Sequence, residues 1–384
     1  MNTKFIDICE KIGSGATPKG GKQAYCAEGI SFVRSQNVHD FDFSCDGLAY
    51  INNEQAAKLN NVELHENDVL LNITGDSVAR ACIMDTTYLP GRVNQHVVVI
   101  RGKKDQVINA YLLYYLQCKK RYLLQLASAG ATRKALTKGM IEQLELDLPT
   151  LDEQKRVVAI LDSLQEKIKL NEQINDNLLE QAETIFRAWF VDFELDDGNM
   201  PSDWQVSTLG ECTEMGAGGD KPKTASVVKT FECPYPIYSN GLSEEGLYGY
   251  TDVPKITTES VTVSARGTIG FVCLRHIPYV PIVRLVTLIP NTELMSAKYL
   301  YLYLKQLHIS GTGTTQQQLT VPDFRKTEIM IPSQDVMARF TALVTPMFDT
   351  IWSNQEQNEK LAELRDSLLP KLMSGAIDVS KVSI

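Results

Sequence analysis

Residues able to make or break bonds are few in this chain, and their spacing does not form a known catalytic set. Its one Pro-Asp pair, Pro322-Asp323, has no Glu-x-Lys after it, which a metal-dependent cleavage site would use to hold its ion. The glycine-rich segment GSGATPKGGKQ (13–23) lacks the GxxxxGK[ST] spacing that cradles nucleotide phosphates, so its glycines read as a flexible turn. An amino-methyltransferase would carry an Asn/Asp-Pro-Pro-aromatic site; the nearest string is Cys233-Pro234-Tyr235. The five histidines form no HxxxH or HExxH pair, and the eight cysteines form no CxxC, so zinc chemistry and a disulfide framework both lack their signature. The thiols read as reduced and mostly buried.

What remains is a set of donors and acceptors of the kind that contact nucleic acid: Arg, Lys, Asn and Gln for base edges, with Ser, Thr and Lys for phosphates. In the first part of the chain these are Lys19 and Lys22 in the Gly-rich opening, Arg34, Gln36 and Asn37 in FVRSQNV, Arg80 after the Gly75 turn, and Arg133 and Lys134 in GATRKALT. In the second they are Lys221, Lys223, Ser239, Asn240, Arg266, and the run Thr314, Thr315, Gln316 and Gln317. Surface Lys and Arg are ordinary, so each one singly also reads as a solvated loop residue. Asn94, Gln95 and His96, and Arg284 at the related place, either read bases or hold a strand turn.

The elements that position these residues occur twice. At an offset of 183 residues, LPTLDEQKRVVAIL (from Leu148) lies on IPSQDVMARFTALV (from Ile331), Arg156 on Arg339, and Leu178 on Leu361. The ATRKALT loop lies on TTQQQLT, so Gly130 meets Gly313 and Leu136 meets Leu319. Farther upstream YLLYYL (111–116) pairs with YLYLYL (299–304), and FIDICEKIGSGATPKGG with STLGECTEMGAGGDKPK. Short β-branched runs such as VNQHVVVI and IVRLVTLI, broken by Gly, Pro and Asn, predict an α+β domain with one Tyr/Leu-rich helix, 109–127 or 297–308.

Each domain is followed by a helix. From Glu153 to about Phe193 there is no proline or glycine, and Val157, Leu161, Leu164, Ile168, Leu178, Ile185 and Trp189 keep coiled-coil spacing. The counterparts are Val344, Met347, Ile351, Leu361, Leu368 and Leu372. About 40 residues would run roughly 60 Å. The same frame puts Asn171, Asn175, Asn354 and Asn358 in the seam, where polar residues cost stability but fix register. Antiparallel packing predicts that Asn171 faces Asn354.

Charge follows the same division. The net charge of −9 is at odds with a nucleic-acid binder until it is split: residues 1–151 carry 17 basic against 16 acidic residues and 198–334 carry 11 against 12, whereas 152–197 carry 5 against 12 and 335–378 carry 4 against 7. The acid sits on the helices, which therefore read as surfaces for a partner or solvent rather than for phosphate. No leader-like apolar stretch opens the chain and no run of about 18 apolar residues occurs, so the expected location is the cytoplasm, without a membrane.

In their order, the LPTLDEQKRVVAILD start of the first helix, the AETIFRAWFVDF run at its end, MPSDWQVSTLGE opening the second domain and LRDSLLPKLMSGAID closing the last helix resemble the specificity subunit of type I restriction-modification systems, along essentially the whole chain. The resemblance implies an α+β architecture of two pseudo-symmetric target recognition domains, 1–151 and 198–334, separated by two long antiparallel coiled-coil spacer helices, 152–197 and 335–378, with a tail at 379–384. It implies that double-stranded DNA is read as two half-sites, and that two methyltransferase subunits and restriction/translocase subunits are partners. S-adenosylmethionine, ATP and magnesium then belong to those partners, and this chain needs no cofactor or metal and is not itself an enzyme. Because the two domains differ in sequence, the target should be asymmetric; two modules more than one duplex turn (about 34 Å) apart can read one face of DNA. A scaffold that binds only proteins accounts for the acidic helices but not for the paired loop-rich domains.

Overall fold

A computed structural model describes residues 2–128, 134–311 and 318–382. The chain divides into two compact units, one made of residues 1–171 and 356–384, the other of 172–355.

In the first unit the chain opens with Asn2–Lys4 paired antiparallel to Glu145–Asp147. Cys9–Ser14, Val97–Gly102, Val69–Asn72 and Ala81–Ile83 follow as a four-stranded antiparallel sheet in that spatial order. Its central strands read as nearly continuous apolar runs because both faces are covered. One face meets the helix Asn109–Cys118, with Tyr111, Leu112 and Leu116 buried against Phe5, Val69, Leu71, Val98 and Ile100. The other meets a three-stranded sheet in which Ile30–Val33 pairs antiparallel with Ala49–Ile51 and parallel with Gly91–Val93.

The second unit repeats this strand for strand. Gln205–Thr208 pairs with Glu328–Ile331, and Thr213–Ala217, Val286–Pro290, Ser260–Val263 and Val272–Arg275 form the four-stranded sheet. Tyr235–Tyr238 lies between Leu247–Thr251, antiparallel, and Val280–Pro281, parallel. The helix Ala297–Gln306 takes the place of Asn109–Cys118.

The first long helix spans Leu151–Phe190 and the second Gln334–Met373, each 40 residues, so both stop short of the expected 197 and 378. Thr150 starts the first helix with a capping box: its backbone N–H and hydroxyl donate to Glu153 Oε2, at 2.9 and 2.7 Å, and its Oγ1 accepts from Glu153 N. Those bonds hold the Glu153 carboxyl below its usual range. Beyond Phe190 the chain turns through left-handed Phe193 and Asp197, which a helix cannot include. The second helix continues through Pro346 and Pro370, even though proline cannot donate the intrahelical bond.

Both helices are shared between the units rather than lying outside them. In the first unit Val157 and Leu161 pack with Leu369 and Leu372 in the domain core, and Arg365 Nη1 donates to Gln165 Oε1 at 2.7 Å. In the second, Phe186 and Phe190 meet Phe340 and Tyr299 in one aromatic cluster. Pairing within each unit is antiparallel. Its register differs from the expected one: Asn171 Nδ2 donates to Asn358 Oδ1 (2.8 Å) and Gln357 Oε1 (2.8 Å), and Asn354 Nδ2 donates to Asn175 Oδ1 (2.9 Å). Each asparagine thus meets the member of the other pair one helical turn from the partner predicted. A heptad frame fixes which face is inward but leaves the axial stagger to be set by packing.

Candidate nucleic-acid interface

In the first unit, loops from distant parts of the sequence close on one another at the ends of the large sheet's strands. Gly15 N donates to Asn94 O at 3.1 Å, so close that a Cβ at Gly15 would lie 1.7 Å from Val93 O. Only glycine fits there. The Thr17 hydroxyl donates to Gln95 Oε1, Gln95 Nε2 lies 3.0 Å from His96 Nε2, and His96 Nδ1 lies 2.7 Å from Thr74 Oγ1. One proton arrangement satisfies all three contacts, with the imidazole proton on Nδ1. Ile73 N donates to His96 O, Leu136 N to Ile73 O, and Gly75 N to Lys134 O. Asn72, fully buried, donates through Nδ2 to Ser35 O (2.8 Å) and Val38 O (3.3 Å), drawing in the FVRSQNV segment.

Equivalent loops meet in the second unit. Gly218 N donates to Leu285 O (2.8 Å), and a Cβ on Gly218 would lie 2.8 Å from both the N and the O of Ile282. Val283 N and Arg284 N donate to Gly219 O and Gly218 O, at 2.9 and 3.0 Å. Asn240 joins three loops: its Nδ2 donates to Val283 O (2.8 Å) and its Oδ1 accepts from Ala265 N (2.7 Å). Leu319 N donates to Ala265 O, while Arg266 donates through Nε and Nη2 to Gln318 Oε1 at 3.1 and 2.8 Å.

The residues singled out from sequence divide into exposed ones and structural ones. Lys19 and Lys134 are exposed, Arg80 is half-buried, and Lys22 lies in the short turn Gly21–Ala24. Asn37 is fully buried and holds Ser44 O and Asp46 O through Nδ2, at 3.0 and 3.1 Å, while its Oδ1 accepts from Arg34 N. Arg34 Nη2 and Gln36 Nε2 both donate to Gly47 O. These three therefore hold the 44–47 loop, Asn37 from a buried position. Asn240 is likewise a brace. Lys221 and Lys223 are exposed, with Lys221 Nζ 5.0 Å from the Tyr248 ring centroid, and Ser239 N donates to Gly246 O. Arg133, Thr314, Thr315, Gln316 and Gln317 lie outside the described residues.

Gln318, as the partner of Arg266, and Thr17 and Thr74, as partners of Gln95 and His96, were not singled out from sequence. Their only signal was position, beside an already chosen loop. Burial pushes the Cys9 and Cys273 thiols up to about 12 and Cys82 higher still, which makes them poor nucleophiles at neutral pH. Among the described residues no three His, Cys, Asp or Glu side chains are grouped to hold a metal ion, and no helix is long and apolar enough to cross a membrane.

The family model described as the type I restriction modification DNA specificity domain matches residues 2–180 and again 201–361. Similar proteins include the type I restriction enzyme MjaIX specificity subunit of Methanocaldococcus jannaschii, 23% identical over 99% of this chain and 94% of that protein. The HindI specificity subunit of Haemophilus influenzae is 24% identical over 74% of this chain and 81% of its own length. Among solved structures, the S subunit of a type I restriction-modification system from M. genitalium superposes with a TM-score of 0.58 at 14% identity, covering 97% of this chain and 95% of that one.

Proposed function

Because the chain belongs to the family of type I restriction-modification DNA specificity domains, we propose that it reads an asymmetric, two-part sequence in double-stranded DNA, one half-site per unit. The observation that carries this reading is the repeated loop cluster. Two copies of one scaffold bring the same loops together and differ in what they display: Gln95 and His96 in one, Val283 and Arg284 in the other. Like scaffolds with unlike side chains fit two unlike half-sites. Lys19, Lys134, Lys221 and Lys223, all exposed, are suited to phosphate contacts that set position without reading sequence.

The two helices, which carry most of the excess acid, serve as spacer and as docking surface for two methyltransferase subunits, and through them for restriction/translocase subunits. Methyl donor, ATP and magnesium belong to those partners. This chain contributes recognition and no bond-making step, a role supported by its unreactive buried thiols and its lack of methyltransferase and nucleotide-binding motifs.

Footprinting of the chain with its methyltransferase partner on random duplexes tests the proposal. Two short protected blocks flanking an indifferent gap are expected, with affinity falling steeply as salt rises. A single block, or no protection at any salt, would overturn it, and the latter outcome would favour a scaffold that binds proteins only.

A further inference from the structure

In the second unit the turn between Val280–Pro281 and Val286–Pro290 has an unusual backbone: Val283 has φ 52° and Arg284 φ 61°. Left-handed geometry is uncommon for any side chain and an outlier for a β-branched one. The surroundings force it. Ile282, buried, donates to Tyr238 O at 2.9 Å, Val283 N and Arg284 N are held by Gly219 O and Gly218 O, and Asn240 Nδ2 grips Val283 O. Strain of this kind persists where the rest of the fold over-determines it, and it concentrates at functional sites.

Both strained residues lie at the surface. Val283 is 53% exposed and Arg284 is exposed. Three of the four arginines between 198 and 334 are committed: Arg275 to Thr262 and Glu245, Arg266 to Gln318, and Arg325 to Met215 O. Among the described residues the Arg284 guanidinium makes no hydrogen bond or ion pair. In the first unit the corresponding turn is occupied differently, its polar atoms satisfied by Thr17, Thr74 and one another.

Building on the DNA-reading function, we propose that Arg284 is the specificity-determining residue of the second unit, presented by the strained turn to pair through its guanidinium fork with O6 and N7 of a guanine in the major groove. A planar fork with two parallel donors matches that edge, whereas an ammonium does not. Val283 at the same apex is an apolar surface for the neighbouring base step.

The test is a genome-wide map of methylated sites in cells carrying the complete system with the wild-type chain, Arg284→Ala or Arg284→Lys. The wild-type motif is expected to hold an obligatory guanine in one half-site. Arg284→Ala should relax that one position, lowering discrimination about 10- to 100-fold, with the other half-site unchanged. Arg284→Lys should relax it in part. An unchanged motif in Arg284→Ala would overturn the assignment while leaving the DNA-reading function standing. So would an affinity loss uniform across sequences with a salt slope smaller by about 1, the mark of a phosphate contact. A wild-type chain that directs no two-part motif would instead remove the functional reading itself.

Discussion

Replacing Asn240 with alanine separates a loop brace from a base contact. Two bonds go at once. Val283 O lies at a half-exposed turn and can take water in exchange, so its loss costs no more than about 1 kcal/mol. Ala265 is 1% exposed, so its N–H, which donates to Asn240 Oδ1, is left buried without an acceptor, at about 1–3 kcal/mol. The expected destabilisation is therefore about 1–4 kcal/mol. Urea unfolding measures it, and hydrogen exchange at the Ala265 amide localises it. Asn240→Asp sharpens the test: it keeps an acceptor for Ala265 N but sets a carboxylate oxygen against the Val283 carbonyl. It should be about as damaging at neutral pH and recover in acid, where the protonated carboxyl can donate. Stability within about 0.5 kcal/mol of wild type, unchanged Ala265 protection and lost DNA binding would together refute the reasoning and return Asn240 to the base-reading role inferred from sequence.

Other outcomes follow from side chains placed inside the units. Gln154 is fully buried, accepts from Ile108 N and donates to Gln106 O and Pro149 O, so Gln154→Ala should cost about 2–4 kcal/mol, and an unchanged thermal melt would contradict this. Burial lifts the Asp162 carboxyl above its ordinary range, against the lowering effect of the Tyr114 hydroxyl bonded to it at 2.6 Å. The folded chain therefore holds that proton more tightly than the unfolded one. The stability this contributes is full below the unfolded value of about 3.9 and is lost as pH rises through the folded one. Asp162→Asn, which still accepts from Tyr114, should gain on wild type in urea midpoints between acid and neutral pH; a flat difference would refute the shift. Alkylation at neutral pH should mark exposed Cys26 and Cys45 first and spare Cys9, Cys82 and Cys273 until the chain is unfolded, as mapped by mass spectrometry.

Periodicity and repetition made much of the architecture legible. The 183-residue offset anticipated two like α+β units, and the run free of proline and glycine after Glu153 anticipated a helix that begins at Leu151. The loop residues were harder. Arg34, Gln36, Asn37 and Asn240 have the residue types and the loop positions of base readers, and what makes them braces is a set of backbone atoms, such as Gly47 O and Ala265 N, that come near only after folding. Nor could spacing show that Ile30–Val33 pairs parallel with Gly91–Val93, or that the units divide within the long helices rather than at their ends. Both depend on long-range pairing that leaves no local period.

That division has a consequence for synthesis. The core of the first unit includes Leu369, Leu372 and Val379, and Arg156 on its first helix donates to Val382 O. A ribosome reading this message makes all of residues 172–355 before it reaches the strip that closes the earlier unit. Until then Val157, Leu161 and the domain's helical layer have an unfilled side. The first-made unit is thus the last that can be completed, and the nascent chain must keep that apolar face shielded while its neighbour folds.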